Sequence, residues 1–213
     1  MSSVVDIFKD LTELTPTTLY ILAFTVIVAA ILGFVGSKAK FNTKAIVYGG
    51  LCVSIAFVLS YVRLYRWPQG GSITLASMLP MFIYAYIFGP AAGIAAGAAY
   101  GLLQLIQDPY ILHPFQVFLD YILAFAALGL AGLFPDNISL GIILGGFGRF
   151  FSSFLSGVIF FGSYAPEGMS PIIYSTAVNG TVLGSDALIC LLISLLPQVR
   201  GAIEQLKGRV YVK

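Results

Sequence analysis

Three ionisable side chains lie inside long apolar segments, where a charge is costly, and they are the first candidates for chemistry in this sequence. They are Asp120, within "HPFQVFLDYILAF", Arg149 and Asp186. Each costs about 2.5–3.5 kcal/mol at the centre of a membrane-spanning helix, so each needs a partner or a function. With a rise of about 1.5 Å per residue, Arg149 and Asp186 both fall in the inner half of the membrane. We therefore predict that these two form a structural ion pair.

Asp120 lies closer to the outer end of its segment, and no cationic side chain lies at the same depth. Arg63 and Arg66, in the outer loop, are one alternative partner, because long basic side chains can bend toward a buried charge. We favour a second interpretation, in which a bound ligand supplies the positive charge or the hydrogen-bond donors that Asp120 lacks.

Polar and aromatic residues at a similar depth favour such a ligand site. Gln116, four residues before Asp120, shares its helix face. The other candidates, from the same segment, the loop above it and the last two segments, are Tyr110, Tyr121, Ser153, Phe161, Tyr174 and Asn179. Aromatic faces beside a carboxylate suit a flat, nitrogen-rich or cationic ring. Any single tyrosine can instead belong to the aromatic belt at the membrane surface, but the combination favours binding.

The composition requires that helices in a membrane position these residues. Of 213 residues, 59% are hydrophobic and only 9% are charged, against about 25% charged in soluble domains. The mean hydropathy is +0.95. The net charge of +2 is too small to favour nucleic acid as a partner. The chain is therefore predicted to be an integral membrane protein in contact with the lipid bilayer.

Seven apolar spans, separated by Gly- and Pro-containing breaks, predict an all-α fold. The runs are too long for the alternating strands of a barrel, which need about 10 residues each. The predicted spans are 17–36, 44–62, 72–88, 90–107, 114–134, 139–163 and 172–197.

The distribution of Lys and Arg predicts the orientation of these spans, because basic residues concentrate on the cytoplasmic side. Basic residues flank the loop near residue 40 and follow the last span. This places the loops 63–71, 108–113 and 164–171 outside, together with most of the polar and aromatic candidates. We therefore expect a binding site that opens outward.

The sequence contains no motif for catalysis or for ATP hydrolysis. It has no Walker A sequence, no GxSxG, no HExxH and no paired carboxylates. One histidine cannot build a histidine-rich metal site, and the two cysteines lack metal-binding spacing. The small residues of "GPAAGIAAGAAYG" predict close helix packing. The small face that contains Gly50 and Ser54 predicts a contact with another helix of this chain or with another protein.

Three blocks of sequence resemble a known family. "PQGGSI", "HPFQVFLDYILAF" and "GSYAPEGMSP" are similar to the thiamine-binding S components (the ThiT family) of energy-coupling factor vitamin transporters, and the resemblance covers roughly residues 44–197. It implies a six-helix membrane core at 44–197 that binds the vitamin from outside. Residues 1–43 would then form an extension with one extra spanning helix, and 198–213 a basic cytoplasmic tail. The family also implies partners, namely a membrane scaffold subunit and two ATPases, with Gly50 and Ser54 facing the scaffold.

The resemblance also implies roles for single residues. The family's acidic residue and tyrosine fall on Asp120 and Tyr121, its loop tyrosine on Tyr110, and its lid tryptophan on Trp67. Its spaced tyrosine and asparagine fall on Tyr174 and Asn179.

This sequence departs from the family at three positions of the site. It has Asp120 where the family usually has Glu, Ser153 where the family usually has histidine, and Phe161 where the family often has tryptophan. Thiamine is the expected ligand, and no cofactor is expected. A related precursor, hydroxymethylpyrimidine or hydroxyethylthiazole, is one alternative. A secondary transporter that works without partners is another.

Overall fold

The computed structural model describes residues 16–39, 41–67 and 71–211. The chain divides into two compact units, residues 1–31 and 32–213. In the first unit the described residues are helical and belong to helix α1, Pro16–Ser37. The predicted boundaries of the N-terminal extension, the core and the C-terminal tail remain predictions.

The second unit is built almost entirely of helices. After α1 these are α2 (Thr43–Leu59), α3 (Leu79–Phe88), α4 (Pro90–Gln107), α5 (Pro114–Leu133), α6 (Ile138–Phe160), α7 (Pro171–Leu195) and α8 (Pro197–Tyr211). The prediction of an all-α membrane protein is confirmed. Helices α5, α6 and α7 are long and apolar enough to cross a membrane, whereas α2 and α3 are apolar but shorter.

The predicted span 72–88 is wrong in its first half. A hairpin of two antiparallel strands, β1 (Arg63–Arg66) and β2 (Ser72–Thr74), lies between α2 and α3. Helix α3 begins only at Leu79, and its 10 residues cover about 15 Å, about half of a bilayer core. The apolar residues around β2 led to the prediction of a helix there. In the structure the segment is extended, and the Thr74 hydroxyl donates a hydrogen bond of 2.9 Å to Asp186 of α7. Strand β2 lies against α7, and its last residue, Thr74, is buried.

Helices α4 and α5 approach each other closely, as the run of small residues predicted. A Cβ atom on Gly97 would lie 2.3 Å from the carbonyl oxygen of Phe125, and one on Gly101 would lie 2.0 Å from that of Tyr121. Only glycine permits this backbone contact. The contact fixes the height of α5 against α4, and so the position of Asp120, the neighbour of Tyr121.

Helix α5 is irregular along its length. Residues Phe118–Leu123 form a π-helical segment, and Ala127–Leu133 form a 3-10 helix. Single π-helical turns occur often at functional sites, because the wider turn changes the direction of the side chains that it carries. Asp120 lies within this segment.

The predicted basic tail at 198–213 folds as α8 over its described residues. Ile203 of α8 is buried, and Glu204 accepts a 2.8 Å hydrogen bond from the Tyr86 hydroxyl. Lys207 lies 4.2 Å from the centre of the Tyr86 ring and donates a hydrogen bond to the Pro135 carbonyl. Helix α8 is therefore part of the packed unit.

Candidate ligand-binding cavity

One cavity lies between helices α4 to α7 and the β1–β2 hairpin. All nine residues predicted to bind a ligand line it: Trp67, Tyr110, Gln116, Asp120, Tyr121, Ser153, Phe161, Tyr174 and Asn179. Arg149 and Asp186 line it as well. The structure thus brings together residues that are spread over more than 100 positions of the sequence. Their role in binding remains a prediction.

The two carboxylate oxygens of Asp120 differ in their contacts. Oδ2 accepts a hydrogen bond from Gln116 Nε2 at 2.7 Å and another from Ser156 Oγ at 2.7 Å. The Ser153 hydroxyl lies near the same carboxylate as a weaker partner, and no close hydrogen bond from the described residues reaches Oδ1. The carboxylate is therefore held in one orientation, with Oδ1 left as an acceptor for a further donor.

Ser156 is a contact that the sequence analysis missed. It lies on α6, one turn beyond Ser153, and its side chain is buried. Its neighbour Ser152 donates to the Leu119 carbonyl at 2.8 Å and joins α6 to α5. The spacing of Ser152, Ser153 and Ser156 on one apolar helix was the only signal in the sequence.

Gln116 joins Asp120 to the loop above the cavity. Its Oε1 accepts a hydrogen bond from the Leu112 amide at 3.0 Å while its Nε2 donates to Asp120. Tyr121 anchors the same loop, because its hydroxyl donates to the Asp108 carbonyl at 2.8 Å and accepts from the Tyr110 amide at 2.9 Å. Helix α5 therefore holds the loop through two side chains. These are Gln116, which contacts the Asp120 carboxylate, and Tyr121, the next residue after Asp120.

Aromatic rings form the mouth of the cavity. Tyr110 and Phe161 stack with their centres 5.6 Å apart and their planes 23° apart. The Tyr110 hydroxyl donates to the Tyr164 hydroxyl at 3.0 Å. This hydrogen bond, followed by burial, raises the pKa of Tyr110 to about 12. Trp67 lines the cavity from the hairpin, and its buried Nε1 has no hydrogen-bond partner among the residues that the structure describes.

Tyr174 and Asn179 approach the cavity from α7. Tyr174 is buried. Asn179 Nδ2 donates to the Ser175 carbonyl at 3.1 Å and to the Ser153 carbonyl at 3.3 Å. The amide group is therefore oriented by α6 and α7 together, and its Oδ1 has no hydrogen bond within the described part of the chain.

One alternative was that Arg63 and Arg66 pair with Asp120. The structure contradicts it, because both arginines contact Asp108 instead. Arg63 Nη1 lies 2.9 Å from Asp108 Oδ2, and Arg66 Nη2 lies 2.7 Å from Asp108 Oδ1. Both ion pairs join strand β1 to the loop after α4. They fasten the hairpin over the cavity at one end, while the contact between Thr74 and Asp186 fastens it at the other.

Arg149 and Asp186 lie at the end of the cavity farthest from the aromatic mouth. Arg149 Nη1 is 4.0 Å from Asp186 Oδ2, which is longer than a hydrogen bond. Asp186 is 1% exposed and accepts from the Thr74 hydroxyl at 2.9 Å. The predicted partners are thus neighbours, but Asp186 is bonded to the hairpin and not directly to Arg149.

Gly50 and Ser54 lie outside the cavity, on the outer face of α2. A Cβ atom on Gly50 would meet no atom of the described residues within 4 Å, and Ser54 is exposed. The other small face of α2 packs inward, where the Tyr84 hydroxyl donates to the Ala45 carbonyl at 3.0 Å and Gly49 contacts the same ring. Ala45 and Gly49 therefore pack against another helix of this chain, whereas the contact predicted for Gly50 and Ser54 remains a prediction.

The fold and the cavity define a class of protein. This is an all-α, multi-pass membrane protein with one polar and aromatic cavity enclosed by four helices and a hairpin. The chain belongs to the Thiamine transporter protein (Thia_YuaJ) family, which it matches over residues 46–203.

Two curated relatives and one solved structure are similar to most of the chain. The thiamine transporter ThiT of Bacillus subtilis is 34% identical over 146 residues, which are 61% of this chain and 76% of the relative. ThiT of Lacticaseibacillus paracasei is 32% identical over 140 residues, 56% of this chain and 70% of the relative. The structure of ThiT from Listeria monocytogenes superposes with a TM-score of 0.68 at 27% identity, covering 76% of this chain and 98% of that one. These relatives are bacterial proteins, and the chain is accordingly a multi-pass bacterial membrane protein.

Proposed function

We propose that this chain binds thiamine from outside the cell and is the substrate-binding subunit of an energy-coupling factor importer. The observation that carries the proposal is the state of Asp120. Its Oδ2 accepts two close hydrogen bonds, its Oδ1 accepts no close one from the described residues although Ser153 lies nearby, and aromatic rings line the same cavity. The names of the relatives, all thiamine transporters, support the choice of ligand.

Thiamine matches this cavity chemically. Its thiazolium ring is a flat cation, which a carboxylate and stacked aromatic rings attract in a site shielded from water. The aromatic pair of Tyr110 and Phe161 provides the flat face, and Asp120 provides the negative charge. We assign Trp67, Gln116, Tyr121, Ser153, Tyr174 and Asn179 to the walls around the bound vitamin.

ATP-driven uptake would need partner subunits that hydrolyse ATP, because the sequence has no P-loop of its own. We propose a membrane scaffold and two ATPases as these partners. The outer face of α2 supports a docking site, since Gly50 and Ser54 there leave room for a second helix to approach closely. Exposed apolar side chains, Val47, Leu51 and Ile55, lie on the same helix.

Reconstitution in lipid vesicles tests this proposal. The purified chain alone should bind thiamine but should not accumulate it, with or without an ion gradient. Addition of an energy-coupling module and ATP should start uptake. Accumulation by the chain alone, driven by a sodium or proton gradient, would show a secondary transporter instead. Binding of hydroxymethylpyrimidine or hydroxyethylthiazole more tightly than thiamine would show that Ser153 and Phe161 have changed the ligand.

The proposed docking face has its own test. Gly50→Leu should leave thiamine affinity unchanged and abolish ATP-driven uptake, because the leucine blocks the approach of the partner helix. Gly184→Leu is the matched control, since a Cβ atom on Gly184 also meets nothing within 4 Å, but on α7. Normal uptake by Gly50→Leu would refute the docking role of this face.

A further inference from the structure

The β1–β2 hairpin has one side that lines the cavity and one side that faces away from it. Arg63 and Trp67 line the cavity. Between them on β1, Leu64 and Tyr65 are 59% and 49% exposed. Side chains on a strand alternate between its two sides. The shift in strand register between Arg63 and Tyr65 breaks this alternation, so that two successive apolar side chains face outward.

The loop between α4 and α5 is divided in the same way. Its Tyr110 lines the cavity, whereas the next two residues, Ile111 and Leu112, are exposed. Exposed apolar side chains also flank this loop, at Ile106 in the last turn of α4 and at Phe115 in the first turn of α5. We call these six exposed side chains the mouth patch: Leu64, Tyr65, Ile106, Ile111, Leu112 and Phe115.

The two segments that carry the mouth patch are joined, and they have few charges to present to water. Arg63 and Arg66 both pair with Asp108, at 2.9 and 2.7 Å, which brings β1 beside the loop. These three are the only Asp, Glu, Lys or Arg residues within the described ranges 63–67, 71–74 and 106–115. Large exposed apolar patches of this kind mark contact with another protein or with a membrane.

Continuity with the surface of the helices identifies the bilayer as the partner. Phe115 lies in the first turn of α5, a helix that is long and apolar enough to cross a membrane. On α4, Ile106 is 77% exposed and follows the exposed Leu102 by four residues, so it lies one turn, about 6 Å, farther along the same helix face. The mouth patch therefore continues the lipid-facing surface of the bundle at its end.

The residue types at the hairpin match the boundary between acyl chains and headgroups. Tyrosine is enriched at this boundary, where its ring is apolar and its hydroxyl remains hydrated. Arginine places its apolar stem along hydrocarbon and its charged end among the headgroups. Arg66 is 60% exposed despite its ion pair with Asp108, so its guanidinium group is accessible to a lipid phosphate.

We propose that the mouth patch inserts into the leaflet on the mouth side of the bilayer, with Leu64 and Ile111 among the upper acyl chains. The partner of this surface is therefore the lipid itself. The consequence for binding rests on the proposed function. The hairpin and the loop can move away from the mouth only if apolar side chains leave the lipid, so the bilayer slows the exchange of thiamine.

Quenching by brominated lipid tests the insertion without any ligand. Leu64→Trp and Ile111→Trp are made separately in a Trp67→Phe chain, which leaves one tryptophan in each. In vesicles of phosphatidylcholine brominated in the upper part of its acyl chains, both should lose most of their fluorescence and resist quenching by acrylamide in the water. The matched control is Glu167→Trp, in the exposed loop between α6 and α7, which should show the opposite pattern.

Release kinetics test the consequence for binding. In lipid nanodiscs, Leu64→Ser and Ile111→Ser should each release thiamine about three- to tenfold faster than the wild type, because less apolar surface must leave the lipid. Stopped-flow fluorescence of Trp67 measures the rate. Leu192→Ser is the matched control, since Leu192 is 56% exposed but lies on α7, and it should release thiamine at the wild-type rate.

The outcomes separate this inference from the proposed function. Acrylamide quenching without lipid quenching at either position, or lipid quenching that is equal at positions 64 and 167, would overturn the insertion. Lipid quenching with unchanged release from both serine variants would overturn the control of exchange by the bilayer. If the wild-type chain does not bind thiamine, the proposed function fails and the consequence for exchange fails with it, while the quenching result still decides the insertion.

Discussion

Replacing Asp120 by asparagine tests the residue on which the proposed site depends most. The substitution removes one negative charge and preserves the shape of the side chain. Asparagine can still accept from Gln116 and Ser156 through its oxygen, and it then directs its NH2 group to the position of Oδ1. The local network therefore survives, while the ligand cation meets a donor in place of a carboxylate.

The expected loss of thiamine affinity follows from the one carboxylate oxygen of Asp120, Oδ1, that is available to the ligand. A hydrogen bond or contact with a charged group contributes about 1.5–3 kcal/mol, which corresponds to a roughly ten- to 150-fold weaker thiamine affinity. Titration calorimetry on the purified variant measures this change directly. The matched control is Asp136→Asn, at an exposed position of the loop between α5 and α6, which should bind as the wild type does. A folded Asp120→Asn variant with unchanged affinity would refute the assignment of Asp120.

Three further predictions concern the loops and the packing. Tyr110 has a pKa of about 12 in the folded chain, against about 10 in an unfolded chain, so it stabilises the fold below pH ~10 and this contribution is lost as the pH rises toward 12. The melting temperature should therefore drop less between pH 9 and 11.5 in Tyr110→Phe than in the wild type. An equal drop in both would contradict this linkage. Asp108→Asn should accelerate thiamine release about two- to fivefold, because it removes the ion pairs with Arg63 and Arg66, and partly exposed ion pairs each contribute up to about 1 kcal/mol. Stopped-flow tryptophan fluorescence measures the release rate. An unchanged rate would show that these ion pairs do not hold the hairpin closed. Gly101→Ala should destabilise the chain by about 1–3 kcal/mol, because the added methyl group overpacks the contact with α5. Gly184→Ala, at a position with open space around it among the described residues, should not destabilise the chain. Equal melting temperatures of the two variants would refute the close contact between α4 and α5.

The sequence was sufficient for most of the helices and for nine of the residues that line the cavity. Apolar runs predicted the limits of α4, for example, because uninterrupted hydrophobicity and terminal prolines mark the ends of a membrane helix. Asp120 attracted attention because a charge in an apolar segment requires a partner. Gln116 followed from the spacing of four residues, and its side chain does contact Asp120.

The hairpin and the irregular part of α5 could not be predicted in this way. The segment around Ser72 and Thr74 is apolar enough to read as helix, and its extended form depends on a hydrogen bond to Asp186, 112 residues later. The π-helical turn at Phe118–Leu123 leaves no mark in the composition. Ser156 was missed for a similar reason, because the carboxylate that it contacts lies on another helix. Contacts between distant segments decide all three features.

Titration of the purified chain with thiamine tests the central claim most directly. Calorimetry should show saturable binding of one thiamine per chain, with a dissociation constant in the nanomolar to low micromolar range. Because Trp67 is the only tryptophan and lines the cavity, its fluorescence should change with the same concentration dependence. Absence of both a heat signal and a fluorescence change at millimolar thiamine, in a chain shown to be folded, would contradict the account.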